Sequence, residues 1–203
     1  MLGERKFAVV DVETTGLDAA RERVIEIGVI LLNGALETEC EWTTLVNPEQ
    51  RVTGSHIHGI YDSDLACAPR FCDISEELVS LLSGRIFVAH NAPFDQGFLN
   101  REFARARSYH TIYGDNLVCT MDQSRIYCPP GSHALIKLAQ RLGIAEHQAH
   151  RGLADARICA DLLRYYVHRE ERNERYADTA VNRHGNIVNP AQWLSAVPIS
   201  FSI

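Results

Sequence analysis

The amino-acid sequence predicts an α/β domain in which a mixed β-sheet is flanked by helices. Two observations carry this prediction. Apolar runs of strand length joined by turn residues open the chain, and later runs alternate with segments of helical periodicity. The chain has 203 residues, 46% of them hydrophobic and 23% charged, which is enough for one domain to bury a sizeable core.

The first strands are predicted from three apolar runs, at residues 6–12, 24–32 and 36–46. The first run is nearly continuous until Asp11, as expected of a central strand that is covered on both faces. Asn33-Gly34 separates the other two runs and predicts a hairpin turn. The chain therefore opens with a meander.

The remaining chain alternates between predicted helices and a short strand: a helical turn near residues 55–60, a helix over 74–82, a strand at 85–89, a helix after residue 91, a helix over 135–142 and a last helix over 153–168. Gly84 and Gly143 mark two helix ends. Asn91 marks a helix start because Asn caps helices and the following Pro93 is tolerated in the first turn. Residues 117–126 fit a strand and a helix equally well.

Composition excludes several classes of protein. The six cysteines contain no Cys-x-x-Cys pair, so we expect neither a zinc site nor a disulfide framework. No window approaches the roughly 18 uninterrupted apolar residues of a membrane helix, and the N-terminus lacks a secretory signal, so we expect no membrane contact and a cytoplasmic location. A net charge of −6 is the wrong sign for a broad basic surface. Any nucleic acid must therefore be held locally.

Two carboxylates lie at the end of the first predicted strand. Asp11 and Glu13 are two residues apart, so both side chains leave the same face of the sheet. They are hard oxygen ligands, and they would raise each other's pKa unless a cation or a proton lies between them. An isolated Asp-x-Glu pair can also simply reach solvent from a strand end.

A third acid lies on an apolar stripe of the last predicted helix. The stripe consists of Asp155, Ile158, Cys159, Leu162, Tyr165 and Tyr166. An ionised carboxylate is costly to bury, so Asp155 requires a metal, an arginine or a chemical role.

Asp95 and His150 complete the set of candidate chemical groups. Asp95 lies in the first turn of the helix after Asn91, where an acid commonly interacts with the helix dipole. A strand-to-helix junction also opens onto the end of the sheet where ligands collect. His150 lies on the predicted entry to the last helix, and an imidazole is suited to accept a proton at neutral pH, although a single His is more often structural.

Three blocks of this sequence resemble the signature motifs of DEDD exonucleases: DVETTG at residues 11–16, HNAPFD at 90–95 and HRGLAD at 150–155. The His-x-x-x-x-Asp spacing of the last block resembles the DEDDh branch, which includes proofreading subunits of replicative polymerases, ribonuclease T and oligoribonuclease. The match extends over residues 6–167.

The resemblance implies a ribonuclease H-like fold and 3′→5′ hydrolysis from the 3′ ends of single-stranded DNA or RNA, with release of nucleoside 5′-monophosphates. Asp11, Glu13, Asp95 and Asp155 match the carboxylates that hold two divalent ions, Mg²⁺ or Mn²⁺. His150 matches the general base. In this two-metal scheme the ions acidify the attacking water and clamp the attacking and leaving oxygens.

Further residues match substrate-side positions of the family: Thr14, Leu17, His58, Asn91 and Phe94. His56 and His90 have no assigned role, and each histidine could instead be a surface or packed imidazole. Two other functions stay open, a catalytically vestigial subunit that serves as a partner module and an endonuclease. The choice between DNA and RNA also stays open.

Residues 1–168 are therefore predicted to form the exonuclease domain, and residues 169–203 a C-terminal extension. Val197, Ile199, Phe201 and Ile203 alternate with polar or proline residues, which predicts an edge strand. The extension either packs on its own domain or adds a strand to a sheet edge, within the chain or on a partner. Such a partner would be a polymerase or another protein, and a homodimer is a separate expectation.

Overall fold

A five-stranded mixed sheet lies at the centre of the protein. The computed structural model describes residues 2–144 and 151–201. The strands are β1 (Phe7–Thr14), β2 (Val24–Leu32), β3 (Thr38–Leu45), β4 (Ile86–Ala89) and β5 (Leu117–Cys119). Their order is β3-β2-β1-β4-β5; β1 pairs antiparallel with β2 and parallel with β4, β2 pairs antiparallel with β3, and β4 pairs parallel with β5. This confirms the predicted mixed sheet.

The helices are α1 (Ser55–His58), α2 (Asp62–Leu65), α3 (Phe71–Leu82), α4 (Ala92–Arg105), α5 (Thr120–Tyr127), α6 (Leu135–Leu142), α7 (Gly152–Glu171) and α8 (Gln192–Ser195). A 3₁₀ turn at Gly114–Asn116 precedes β5. The ambiguous residues 117–126 are divided between β5 and α5. No helix of the described residues is long and apolar enough to span a bilayer. All six cysteines are free.

Alternation along β1 divides the core between the two faces of the sheet. Phe7 and Val9 are buried with side chains of α5, α6 and α7, whereas Ala8, Val10 and Val12 are buried with side chains of α3 and α4. Because side chains alternate along a strand, the odd-numbered positions of β1 face α7. Asp11 and Glu13 belong to this odd-numbered set.

Two local predictions need correction. The strand predicted from residue 36 begins at Thr38, because Leu36 has a left-handed backbone with φ of 60°. Asn33 turns the chain through its side chain, which accepts hydrogen bonds from the Ala35 and Glu37 amides at 2.9 Å. Asn91 does precede α4, but its side chain makes no capping bond and its backbone is left-handed with φ of 77°.

The C-terminal extension folds back onto the domain. It forms a hairpin of β6 (Ala180–Val181) and β7 (Ile187–Val188), followed by α8. The strand predicted at residues 197–203 is wrong for its described part, since residues 197–201 form no strand. Instead, Ile199 is buried and exchanges two backbone hydrogen bonds of 2.8 Å with Gly84 and Arg85, the residues that precede β4.

Candidate active site at the end of strand β1

Asp11, Glu13 and Asp155 come together at the end of β1. One carboxylate oxygen of each lies within 4.8 Å of the others. Asp11 and Glu13 are on the face of β1 that meets α7, and Asp155 is in the first turn of α7 on its buried side, with only 7% of its surface exposed. The sequence prediction of a buried acid on this helix therefore matches the structure.

Two glycines allow α7 to approach the sheet this closely. A Cβ atom on Gly28 of β2 would lie 2.2 Å from the carbonyl carbon of Gly152 and 2.3 Å from the Leu153 nitrogen. A Cβ on Gly152 would lie 3.0 Å from the Gly28 nitrogen. Since real Cβ atoms do not approach backbone at 2.2 Å, only glycine fits at residue 28. Gly28 is also the partner of Asp11 in the β1–β2 register, so this contact sets the distance between Asp155 and β1.

Glu26 holds the start of α7 on β2. Its carboxylate is buried and accepts a hydrogen bond from the Gly152 amide at 2.8 Å, and Arg151 Nη2 lies 2.9 Å from it. An anion at a helix N-terminus is favoured by the unpaired amides and the helix dipole. Sequence reasoning missed this residue, although an acid within the fully buried strand Val24–Leu32 was a signal that could have found it.

Asp95 reaches the site from the opposite side of β1. It is 3% exposed in the first turn of α4, and its Oδ1 accepts a hydrogen bond from the Val12 amide at 3.2 Å. It is not one of the three acids within 4.8 Å of one another among the described residues. Its negative charge nevertheless raises the pKa of Asp11, so the fourth predicted acid is adjacent to the cluster.

The carboxylates destabilise one another's charged forms. Burial first, and then the charges of Asp95 and Asp155, raise the pKa of Asp11 well above its usual value. Burial also raises the pKa of Asp95, although the Val12 amide partly opposes this. The pKa of Glu13 rises to about 7 because of burial, Asp155 and Glu26, partly offset by Arg151. Buried carboxylate oxygens with raised pKa values fit divalent cations such as Mg²⁺ or Mn²⁺, which prefer oxygen ligands and neutralise this charge.

Three predicted substrate-side residues lie in the first part of the chain: Thr14 and Leu17, which follow Glu13, and His58, which ends α1. Thr14 ends β1, and its hydroxyl donates to the Gly16 carbonyl at 2.7 Å. Leu17 follows on a loop with 87% of its surface exposed, which leaves an apolar side chain available for contact. His58 is buried: its Nδ1 accepts from the Ile60 amide at 3.1 Å, and its Nε2 lies 3.3 Å from the Thr53 carbonyl. Both ring nitrogens of His58 are therefore engaged within the protein.

The β4–α4 junction carries the other two predicted substrate residues. Phe94 is half-buried and packs against Phe98 with ring centroids 4.8 Å apart. Asn91 Oδ1 accepts a hydrogen bond of 2.8 Å from Arg183 in the C-terminal hairpin. That contact was not expected from the sequence.

Two histidines begin motif blocks, His90 and His150, and the structure describes only the first of them. His150 lies outside the described residues, so its predicted role as base stays a prediction. His90 lies 3.0 Å from the Thr120 hydroxyl and 2.9 Å from the His133 carbonyl, and burial lowers its pKa to about 4. His90 is therefore a neutral imidazole at pH 7 that ties β4 to α5.

Comparison with known proteins identifies the family of the chain. The exonuclease family model RNase_T matches residues 8–163. The chain is 33% identical over 194 residues to DNA polymerase III subunit epsilon of Treponema pallidum, covering 92% of this chain and 83% of that protein. It is 33% identical over 186 residues to a PolC-type DNA polymerase III of Oceanobacillus iheyensis, covering 90% of this chain but spanning only 13% of that protein.

A solved structure has the same fold. A 3′-exonuclease described in recognition of the histone mRNA stem-loop superimposes with a TM-score of 0.67 at 17% identity, covering 98% of this chain and 94% of that chain. At this level of identity the similarity concerns the fold. The predicted ribonuclease H-like sheet flanked by helices is thereby confirmed.

Proposed function

The chain belongs to the exonuclease family, as its three signature blocks predicted, and we propose that it is a metal-dependent 3′→5′ exonuclease acting on single-stranded DNA or RNA. The observation that carries the proposal is the group of Asp11, Glu13 and Asp155, whose oxygens lie within 4.8 Å of one another. Such a group is costly without a cation, and it lies at the end of a strand where a reacting phosphate can enter.

Four carboxylates would hold two divalent ions: Asp11, Glu13, Asp95 and Asp155. When bound, these ions would acidify water and stabilise negative charge on the phosphate and the leaving oxygen. Glu26 would act indirectly, because it fixes the start of α7 and thereby the position of Asp155.

His150 would accept the proton of the attacking water. The water oxygen would form a bond to phosphorus as the bond between phosphorus and the 3′ oxygen breaks, and the leaving 3′ oxygen would take up a proton from solvent. The products are a nucleoside 5′-monophosphate and a strand shortened by one nucleotide. General base catalysis of this kind typically contributes 10²- to 10⁴-fold to the rate.

Thr14, Leu17, Asn91 and Phe94 would contact the terminal nucleotides. His58 would serve the substrate side indirectly, because both of its ring nitrogens hold its own segment in place. The exposed Leu17 supports the nucleotide contact, because an exposed apolar side chain that follows the first motif block can wedge against the last base. The polymerase III relatives favour DNA as the first substrate to test. The cytoplasmic location, the division at residues 168 and 169, a homodimer and a polymerase or other partner for the extension remain predictions.

The test is digestion of 5′-labelled oligonucleotides with Mg²⁺ or Mn²⁺, using matched DNA and RNA in single-stranded and duplex form. Wild-type protein should shorten a single strand stepwise, and Asp155→Asn should abolish shortening. Asp178→Asn, which removes an exposed carboxylate of the extension, is the matched control and should retain activity.

Other outcomes would identify the alternatives. Cleavage of a circular strand would indicate an endonuclease. Nucleic-acid binding without any metal-stimulated cleavage would indicate a vestigial module. Activity that survives Asp155→Asn would contradict the assignment of the site.

A further inference from the structure

The tip of the β6–β7 hairpin is a fixed structure. The Asn182 side chain accepts hydrogen bonds from the His184 and Asn186 amides, each at 3.0 Å, and the Asn182 amide donates to the Asn186 carbonyl at 2.9 Å. Asn182 Nδ2 donates to Asp122 of α5 at 3.0 Å, which anchors the tip to the domain. The residues between these anchors are therefore held in place.

Arg183 projects from this tip to the β4–α4 junction. Its Nη2 donates to Asn91 Oδ1 at 2.8 Å, and its Nε lies 3.0 Å from His184 Nε2. Asn91 immediately precedes α4, whose first turn contains Asp95. The hairpin thus brings a guanidinium from residue 183 to the residue that precedes α4, the helix that carries Asp95, although residues 169–203 lie outside the stretch that carries the three motifs.

The hydrogen-bond partners of Arg183 are uncharged groups, so they do not neutralise its positive charge. Several arginines of the described residues are paired with carboxylates, for example Arg23 with Glu102, Arg151 with Glu26 and Arg157 with Glu41. Arg183 is exposed, and it donates hydrogen bonds to an amide oxygen and an imidazole nitrogen. A guanidinium has five N–H donors, so three remain for a ligand, and its planar fork matches a phosphate.

We propose that Arg183 binds a phosphate of the substrate strand upstream of the scissile phosphate, so that the C-terminal hairpin forms one wall of the nucleic-acid cleft. This inference rests on the proposed exonuclease function. With a net charge of −6, the chain needs local cations to hold a polyanion, and Arg183 is preorganised for that purpose beside Asn91. The scissile phosphate would lie at the acid cluster, and Arg183 is not part of that cluster. We therefore assign to Arg183 a phosphate upstream of it.

The experiment compares Arg183→Ala with wild type, using the Mn²⁺-loaded enzyme on single-stranded oligonucleotides. Loss of a charge-assisted contact should raise KM roughly 10- to 100-fold and leave kcat within about twofold. The slope of log KM against log salt should become shallower by about 0.7, the value for one phosphate contact on a single strand. Arg183→Lys should recover part of the loss because it retains the charge.

Arg172→Ala is the matched control, because it removes an exposed arginine at the far end of α7. Its KM and salt slope should equal those of wild type. Equal thermal midpoints for the variants would exclude unfolding as a cause.

A substrate with a single phosphate distinguishes the possible failures. Hydrolysis of the p-nitrophenyl ester of thymidine 5′-monophosphate should be unchanged in Arg183→Ala, since this ester has no upstream phosphate. An equal loss on the ester and the oligonucleotide would overturn the upstream assignment, and no loss on either would overturn the inference. Inactive wild-type protein on both substrates would instead refute the proposed function.

Discussion

Among single residues, Asp11 is a side chain whose negative charge is strongly opposed by its surroundings. Burial and four neighbouring carboxylates raise its pKa, so the metal-free protein is less stable with an acid there than with a neutral group of the same shape. We expect Asp11→Asn to raise the thermal midpoint in EDTA, by roughly 2–4 °C for each kcal/mol of repulsion removed. The same variant should lose the midpoint increase that Mn²⁺ gives wild type, and roughly 10³-fold or more in activity.

Calorimetric melting with EDTA and with Mn²⁺ checks both effects. Asp178→Asn should leave both midpoints unchanged. A lower midpoint for Asp11→Asn in EDTA would contradict the repulsion that we infer.

Glu13 should make metal binding dependent on pH. Its pKa is raised to about 7 from 4.5, so in the metal-free protein it carries a proton below pH 7. Because the pKa is higher in the folded protein than in the unfolded chain, protonation of Glu13 adds to the free energy of unfolding. This contribution is complete below pH 4.5 and is lost as the pH rises through 7. Since a metal ligand must be deprotonated, Mg²⁺ binding should release protons at pH 6.5 and release few at pH 8.5.

Calorimetric titration in two buffers of different ionisation enthalpy measures this release. Glu13→Gln should reduce the number of protons released at pH 6.5. Equal release at both pH values would show that Glu13 does not titrate near 7.

The sequence was informative about residues with an unusual local setting. Asp155 was predicted because a charge on an apolar helical stripe needs an explanation within that helix. Glu26 sits in an equally apolar strand but was missed, since its partners Arg151 and Gly152 are more than a hundred residues away. The positions of Asp11 and Glu13 followed from the period of a strand, whereas their distance from Asp155 did not.

Among elements, the close contact between β2 and α7 determines the geometry of the site. Gly28→Ala would place a Cβ 2.2 Å from the backbone of Gly152, so the start of α7 must move away from β1. Overpacking of this kind costs about 1–3 kcal/mol of stability. Because Asp155 moves with the helix, we expect activity to fall roughly 10²-fold or more, a loss that a shift of 1 Å can cause.

Gly97→Ala is the matched control for this prediction. Gly97 lies within α4, and a Cβ there would meet no atom within 4 Å. Alanine should therefore keep activity and stabilise the helix by up to about 1 kcal/mol. Thermal melting and oligonucleotide digestion of both variants measure the two effects, and equal behaviour of the variants would refute the close approach.

Elements whose periodicity and end residues are both visible in the sequence were predicted, and elements that lack these features were not. The helix α6 ends at Gly143 as its period and glycine indicate. The three-residue strand β5 is too short to show a period, so its boundary with α5 stayed ambiguous. The contact of Gly28 with Gly152 could not be predicted in this way. Its only sign in the sequence is a glycine within an apolar strand, and a glycine there has several explanations.

For the whole molecule, the C-terminal extension completes both cores. Trp193 of α8 is buried against Tyr127 with ring centroids 5.5 Å apart, on the α7 side of the sheet. Ile199 is buried on the α3 and α4 side. The sequence showed the alternation of residues 197–203 but not which surface covers it, because that surface is formed by distant parts of the chain.

Trp193 therefore gives the test of whether the extension is part of the fold. Tyr127 of α5 packs against Trp193, and its hydroxyl donates to Glu170 of α7 at 2.8 Å and accepts from the Ala191 amide of the extension at 2.9 Å. Tyr127 therefore joins α5, α7 and the extension. Removing a buried tryptophan side chain costs about 3–5 kcal/mol, so Trp193→Ala should lower the thermal midpoint by roughly 6–20 °C. Leu194→Ala, at the neighbouring half-exposed position, should change it by about 2 °C or less. If the two variants melt together, the extension does not stabilise the domain, and its apolar residues are available for a partner instead.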